Sequence, residues 1–283
     1  MKVKEIPPSL YHTLKLRAIP AHKLRHKTGK EIPVIVSLTT IPFRLNKLHI
    51  VIRSILVQET RPQKIVLWLH ESLKNQIPDS LKVLEGDIFE VRFSTLDCPH
   101  LKLVESLKSF PDKVIVTCDD DFIYPKDWLM TLYDEHLKKP GTVVAITTRL
   151  IRYDREGNVL PYKNWNYKDV SGIDEKAILP IGSSGVLYPP DSFHPSVTDE
   201  KLFLKLSPKA DDLWFKAMSL LNDTPSVKVR GYNKEVIPII GTQGVSLKKQ
   251  NIRQDKNREQ WQALADYFGI TLFKDNGQAE GMF

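Results

Sequence analysis

The sequence predicts an α/β protein, a mostly parallel sheet with helices on both faces. Three observations carry this expectation. Short β-branched runs alternate with stretches whose apolar residues recur at helical spacing. The runs, such as Val34-Ile35-Val36 and Val114-Ile115-Val116, are apolar without alternation, as strands buried on both faces are. One run ends in three acids, Asp119-Asp120-Asp121. The carboxyl end of a central strand is where an open α/β sheet binds ligands.

The elements follow in order. Residues 33–40 form a first buried strand. Arg44 to Val57 places Leu45, Leu48, Val51, Ile52, Ile55 and Leu56 at helical spacing. Lys64 to Leu69 is a second strand, Asp79 to Leu84 a short helical turn, and Phe89 to Phe93 a third strand. His100 to Phe110 fits a helix with Leu101, Val104 and Leu107 on one side, closed by Pro111. Val114 to Cys118 is the acid-tipped strand. Trp128 to Lys138 reads as a helix, Val143 to Thr147 as a strand, and Arg152 to Tyr167 as a hairpin around Glu156-Gly157-Asn158. Ile178 to Tyr188 is interrupted by Gly182-Ser183-Ser184-Gly185. Asp211 to Leu221 is a helix, Pro238 to Gly244 strand and turn, and Trp261 to Phe268 a last helix after the basic tract Lys248 to Arg258. No repeat or linker divides the chain after residue 31.

Composition bounds the function. With 283 residues, 41% hydrophobic and 27% charged, the chain has the make-up of a globular protein with ample core. No apolar stretch is long enough to span a bilayer, and no signal-peptide pattern opens the chain. Cys98 and Cys118 are the only cysteines, are not spaced as a zinc site, and suit a reducing cytosol. The expected location is therefore cytoplasmic. The net charge of +7 lies entirely in residues 1–30, where eight basic residues face Glu5 alone. Leu10, Tyr11, Leu14, Leu16 and Ile19 are interleaved with these charges. Such an arm suits an anionic membrane surface, here the inner face; the alternative is a solvated arm lying across the domain. Nucleic acid is not an expected partner, since no binding module follows.

The acid triplet carries the chemistry. Three adjacent carboxylates at the end of a buried strand repel one another and resist desolvation unless a positive partner is present. A divalent cation, Mg or Mn, suits oxygen ligands of this kind. The alternative is a solvated Asp-rich turn ahead of Pro125.

The strand ending Ser37-Leu38-Thr39-Thr40, then Lys102-Leu103-Val104, then Val114 to Asp121, the Gly182-Ser183-Ser184-Gly185 segment and Ala210-Asp211-Asp212-Leu213-Trp214 together resemble family 2 nucleotide-sugar glycosyltransferases. Among these, the pattern is similar to bacterial enzymes that build surface polysaccharides, over roughly residues 33–245. The resemblance implies a single GT-A-like domain over residues 31–283 after a basic arm over 1–30. That domain would have a mostly parallel Rossmann-like sheet, with a nucleotide-binding half over about 31–121. An acceptor-binding half with a smaller β region would cover about 122–283. It implies metal-assisted transfer of a sugar from a nucleotide-sugar donor, a UDP-sugar first, to a saccharide or lipid-linked saccharide.

The same resemblance implies roles residue by residue. Asp121 holds the Mn or Mg ion. Asp119, Asp120, Thr39, Thr40, Arg44 and Lys102 contact the donor nucleotide. Asp212 is the base of an inverting reaction, and Gly182, Ser183, Ser184 and Asp211 serve the acceptor. Plain alternatives stand beside these: strand-end and N-cap chemistry for the threonines, a solvated lysine for Lys102, a helix N-terminus favouring acids for Asp211 and Asp212, and a simple turn for the glycine-serine segment. Many enzymes of the fold add a late histidine metal ligand, but no histidine follows His194. Lys248, Lys249 and Arg253 are the candidate substitutes. A retaining enzyme of the same fold, a metal-dependent phosphohydrolase and a nucleotidyltransferase are the competing classes. The absence of glycine from Ser37 to Arg44 counts against the last.

Overall fold

Alternation along one strand, β1 (Glu31–Thr39), divides the core in two. Val34, Val36 and Leu38 join α3 (Leu48–Leu56) and α6 (Trp128–Lys138) in one apolar cluster. Ile35 joins α5 (Leu101–Ser109), α8 (Asp211–Leu221) and α9 (Lys256–Phe268) in the other. The computed structural model describes residues 1–26, 29–165, 175–244 and 255–272.

β1 pairs in parallel with β2 (Arg61–His70) on one side and β4 (Val114–Thr117) on the other, and β2 pairs in parallel with β3 (Phe89–Ser94). The β1–β2 register slips between Ile32 and Ile35, around Pro33, which has no N–H to give. Beyond β4 lies β9 (Val186–Tyr188), antiparallel to both β4 and β6 (Val143–Ala145). β10 (Ser226–Lys228) closes that edge in parallel with β6. The order is β10-β6-β9-β4-β1-β2-β3. The chain is thus a single α/β domain with a mostly parallel seven-stranded sheet and helices around it, as expected. Two small ribbons complete it: β5 (Phe122–Ile123) with β11 (Ile237–Pro238), and β7 (Thr148–Leu150) with β8 (Ile178–Pro180). Short helices α4 (Asp79–Lys82) and α7 (Glu200–Leu206) lie in connections.

Several local expectations are corrected. The helix read from Arg44 begins as a 3-10 turn, Pro42–Lys47, and becomes α only at Leu48. The strand read to Thr147 stops at Ala145, and the chain continues into β7. The hairpin read over 152–167 reduces, among the described residues, to one bridge between Tyr153 and Val159. The Asp154 carboxylate accepts the N–H groups of Glu156 and Asn158, so the side chain organises the turn and takes the place of a longer ladder. Lys248, Lys249 and Arg253 lie outside the described residues, while Lys256 to Arg258 open α9.

Residues 1–26 pack in part on the domain. Leu16 of α1 (Ile6–Arg17) and Leu24 of α2 (His22–Arg25) join the core. The buried Arg53 of α3 donates to the carbonyls of Leu16 at 3.1 Å and Ile19 at 2.6 Å. Leu10, Tyr11 and Leu14 face solvent, with exposures of 50%, 61% and 56%. No helix of the described residues is long and apolar enough to cross a membrane.

Candidate active site

The reversed strand β9 builds the site. Its first residue, Val186, lies opposite Thr117 at the carboxyl end of β4. The turn Gly182–Ser184 that feeds β9 therefore sits beside Asp119, Asp120 and Asp121. Gly185 has φ of 100°, and a Cβ there would fall 2.6 Å from the Trp128 indole nitrogen. That indole donates to the Ser184 carbonyl at 2.7 Å. The Tyr124 hydroxyl accepts the Asp119 N–H at 2.9 Å and donates to the Ser183 carbonyl at 3.3 Å. Trp128 and Tyr124, which sequence reasoning did not single out, thus lock the turn to the triplet. Their only signal was proximity to the triplet.

Two of the three acids meet the end of β1. Thr40 donates to Asp120 at 2.5 Å. One Arg44 nitrogen donates to Asp120 at 2.5 Å and the other lies 3.0 Å from Asp121. Arg44 Nε is held by the Thr242 carbonyl at 3.0 Å, and Gln243 donates to Asp121 at 2.8 Å. Burial, reinforced by Asp119 and Asp120, pushes the Asp121 carboxyl up to about 7 despite Arg44 and Gln243. Burial likewise raises Asp120. Asp119 and Asp120 add negative potential at Asp121 that Arg44, shared with Asp120, only partly offsets. Gln243 was also missed from sequence; it follows the strand-and-turn segment read over 238–244.

Asp119 turns to Lys102, whose Nζ lies 3.0 Å from Asp119 and 3.1 Å from Asp211. Lys102 is buried, so it is not a solvated helix lysine. Burial opposes its charge, but Asp119, Asp211 and Asp212 outweigh that and hold it protonated. The acid pair opening α8 is pushed apart. Burial disfavours ionisation of both; Lys102 carries Asp211 below its ordinary value, while Asp211 drives Asp212 well above. The Gly182 N–H donates to Asp212 at 3.1 Å. A Cβ on residue 182 would lie 3.0 Å from that carboxylate, so glycine permits the contact.

These groups share one cleft of about 930 Å³, within the usual range for ligand pockets. Thr39, Thr40, Arg44, Lys102, the three acids of the triplet, Ser183, Asp211 and Asp212 line it. Gly182 and Ser184 stand behind the lining: the first through its N–H on Asp212, the second with its hydroxyl on Thr147 and its carbonyl on Trp128. His70 and Ser72 lie at the β2 end, and Arg149, Tyr162 and Trp165 extend the lining onto β7 and the segment beyond it.

The donor set bears on a metal. Among the described residues no group of three or more His, Cys, Asp or Glu side chains is arranged to hold an ion. The described residues alone therefore do not form an all-protein cage. A hard cation held by Asp121, with substrate phosphates and water completing its shell, does fit, because Mg binds in that way and the one guanidinium facing Asp121 is shared with Asp120.

No family model and no curated protein matches the chain. Among solved structures, 4-diphosphocytidyl-2C-methyl-D-erythritol synthase from Anaerococcus prevotii aligns at a TM-score of 0.45 and 14% identity, over 81% of this chain and 95% of that one. A likeness of that size carries no argument about activity.

Proposed function

We propose that the chain is a glycosyltransferase that moves a sugar from a nucleotide-sugar donor to a saccharide or lipid-linked saccharide acceptor. The observation that carries this reading is the shared cleft of two acid groups: the triplet after β4, and Asp211-Asp212 at the start of α8, joined by Lys102. The nucleoside is assigned to the β1–β2 side, with Thr39, Thr40, Arg44, Asp119 and Asp120. The acceptor is assigned to the α8 side, with Ser183 and Asp211.

The acceptor hydroxyl oxygen attacks the anomeric carbon while its proton passes to the Asp212 carboxylate. The bond from that carbon to the diphosphate oxygen breaks, and its electron pair leaves with the nucleoside diphosphate. Asp212 suits the base role because burial and the neighbouring Asp211 raise its proton affinity, whereas Lys102 holds Asp211 below its ordinary value. In-line attack of this kind inverts the anomeric centre. Asp121 is the assigned holder of Mn or Mg. The chemistry such an ion supplies when bound is neutralisation of charge gathering on the diphosphate.

The outer side of α1 fits an anionic membrane surface. Leu10, Tyr11 and Leu14 are exposed there, and Lys4 and Lys15 accompany them. A protein so docked would meet lipid-linked acceptors.

Nucleotidyl transfer is the second reading, favoured by the cations Arg44, Lys102, Arg149 and Lys209, which line the same cleft as the acids. A panel of nucleotide sugars, and separately of nucleoside triphosphates with sugar phosphates, decides. Release of nucleoside diphosphate with formation of a glycoside supports the glycosyltransferase, and release of pyrophosphate supports the second reading. Inversion is read from the anomeric configuration of the product by NMR.

A further inference from the structure

We infer that the acceptor carries an oxyanion, a phosphate or a carboxylate, received by Arg149 at the far end of the cleft. This rests on the glycosyltransferase reading and names its acceptor class.

The cleft contains more than one cation, and they are not alike. Arg44 is committed to Asp120 and Asp121, and Lys102 to Asp119 and Asp211. Arg149 is half-buried in the cleft lining, yet no ion pair joins it to a carboxylate among the described residues. Its guanidinium lies 4.5 Å from the Tyr162 ring centroid, and one nitrogen donates to the Tyr162 carbonyl at 3.3 Å. A guanidinium has five N–H donors in a planar fork matched to carboxylate and phosphate. Among the described residues, one carbonyl and an aromatic face leave most of that fork unused.

The platform beneath the arginine is packed and hydrogen-bonded. The Tyr162 N–H donates to Asp255 at 2.8 Å, and its ring packs 5.0 Å from that of Trp165. Trp165 is fully buried and donates to the Leu160 carbonyl at 2.8 Å. Arg149 is therefore held ready for an anion, with little ordering left to pay for on binding.

Placement assigns that anion to the acceptor. Arg149 pairs with Leu179 across the β7–β8 ribbon, and β8 runs directly into Gly182, the residue whose N–H meets Asp212. The nucleoside side is built from the ends of β1 and β2 instead. A group on Arg149 thus belongs to the molecule that presents its hydroxyl to Asp212.

The test uses the full chain, saturated with nucleoside diphosphate and manganese so that the probes are kept off the donor side. Methyl glucoside, methyl glucoside 6-phosphate and methyl glucuronide are titrated by ligand-observed NMR. The expected result is that an anionic probe binds at least roughly tenfold more tightly than the neutral one, as one charge-assisted contact gives. Arg149→Gln abolishes the preference, and Arg149→Lys restores part of it. A preference for the phosphate marks a phosphorylated acceptor; a preference for the glucuronide marks an acidic sugar. Equal or absent binding of all three probes by the wild type overturns the inference. So does a preference that survives in a folded Arg149→Gln variant, or nucleotide binding that collapses in it, which would place the guanidinium on the donor. Donor turnover by the same wild-type protein reports separately on the glycosyltransferase reading.

Discussion

Asp119 and Asp211 hold the same ammonium: Lys102 Nζ lies 3.0 Å from one and 3.1 Å from the other. One acid follows a central strand and the other opens a helix of the second half, so the buried lysine fastens the two halves of the cleft together. Lys102→Met should leave these carboxylates facing one another without a cation. Removing one partner from a buried ion pair typically costs about 3–5 kcal/mol. Urea unfolding should show a loss of that order; a change below about 0.5 kcal/mol would mean that solvent already screens the acids.

Asp212→Asn should retain nucleotide affinity and melting temperature and lose transfer by about 10²–10⁴, the usual contribution of a positioned base. Asp211→Asn should lower stability as well as rate, because it also releases Lys102. Single-turnover kinetics beside calorimetry separates the two. An Asp212 variant with near wild-type transfer would return the pair to a plain helix N-terminus.

For Asp121→Asn the expected outcome is loss of metal-dependent nucleotide binding and a fall in turnover of about 10²–10³. Isothermal calorimetry with Mn, and then with chelator, reads this directly. Equal wild-type affinity in both conditions would remove the metal from the proposal.

His100 supplies a pH dependence. It is buried, stacks on Phe203 with centroids 4.4 Å apart, and has no hydrogen bond to either ring nitrogen among the described residues. Burial lowers its pKa from 6.5 to about 4. The fold therefore keeps the ring neutral, while the unfolded chain takes up a proton below 6.5. Stability present above pH 6.5 is lost as pH falls towards 4, by on the order of 2–3 kcal/mol for this group. His100→Phe should keep the stack and flatten the stability profile between pH 6.5 and 4. His49, also lowered to about 4 by burial, leaves a remaining slope. An unchanged profile in the Phe variant would show that His100 does not titrate with unfolding.

The two sides of α1 should respond differently. Leu10→Glu with Leu14→Glu changes exposed positions, so the melting temperature should hold while co-sedimentation with anionic vesicles is lost. Binding by the unaltered chain should weaken with salt, at about 1 kcal/mol for each basic residue engaged. Leu16→Ala removes a core contact and should cost about 2–5 kcal/mol. Vesicle binding that survives the double variant would move the contact elsewhere.

Local patterns in the sequence determined the elements whose physics is local. The continuous apolar runs of β1, β2 and β4, and the bounds of α6 and α8, followed from periodicity and terminal residues, because burial on two faces or one leaves that signature in a short window. The acid triplet was legible for the same reason: carboxylates do not end a buried strand without a partner. Tertiary structure alone decided which partners they have. The reversal of β9 depends on pairing between strands distant in sequence, and it is this reversal that carries Gly182 to Asp212. Lys102 read equally well as a solvated helix lysine until the fold buried it between acids from both halves. Leu16 and Leu14 are two residues apart and look alike in sequence. Helix geometry and the Arg53 contact place one in the core and the other in water, because only the docked position of α1 distinguishes its two sides.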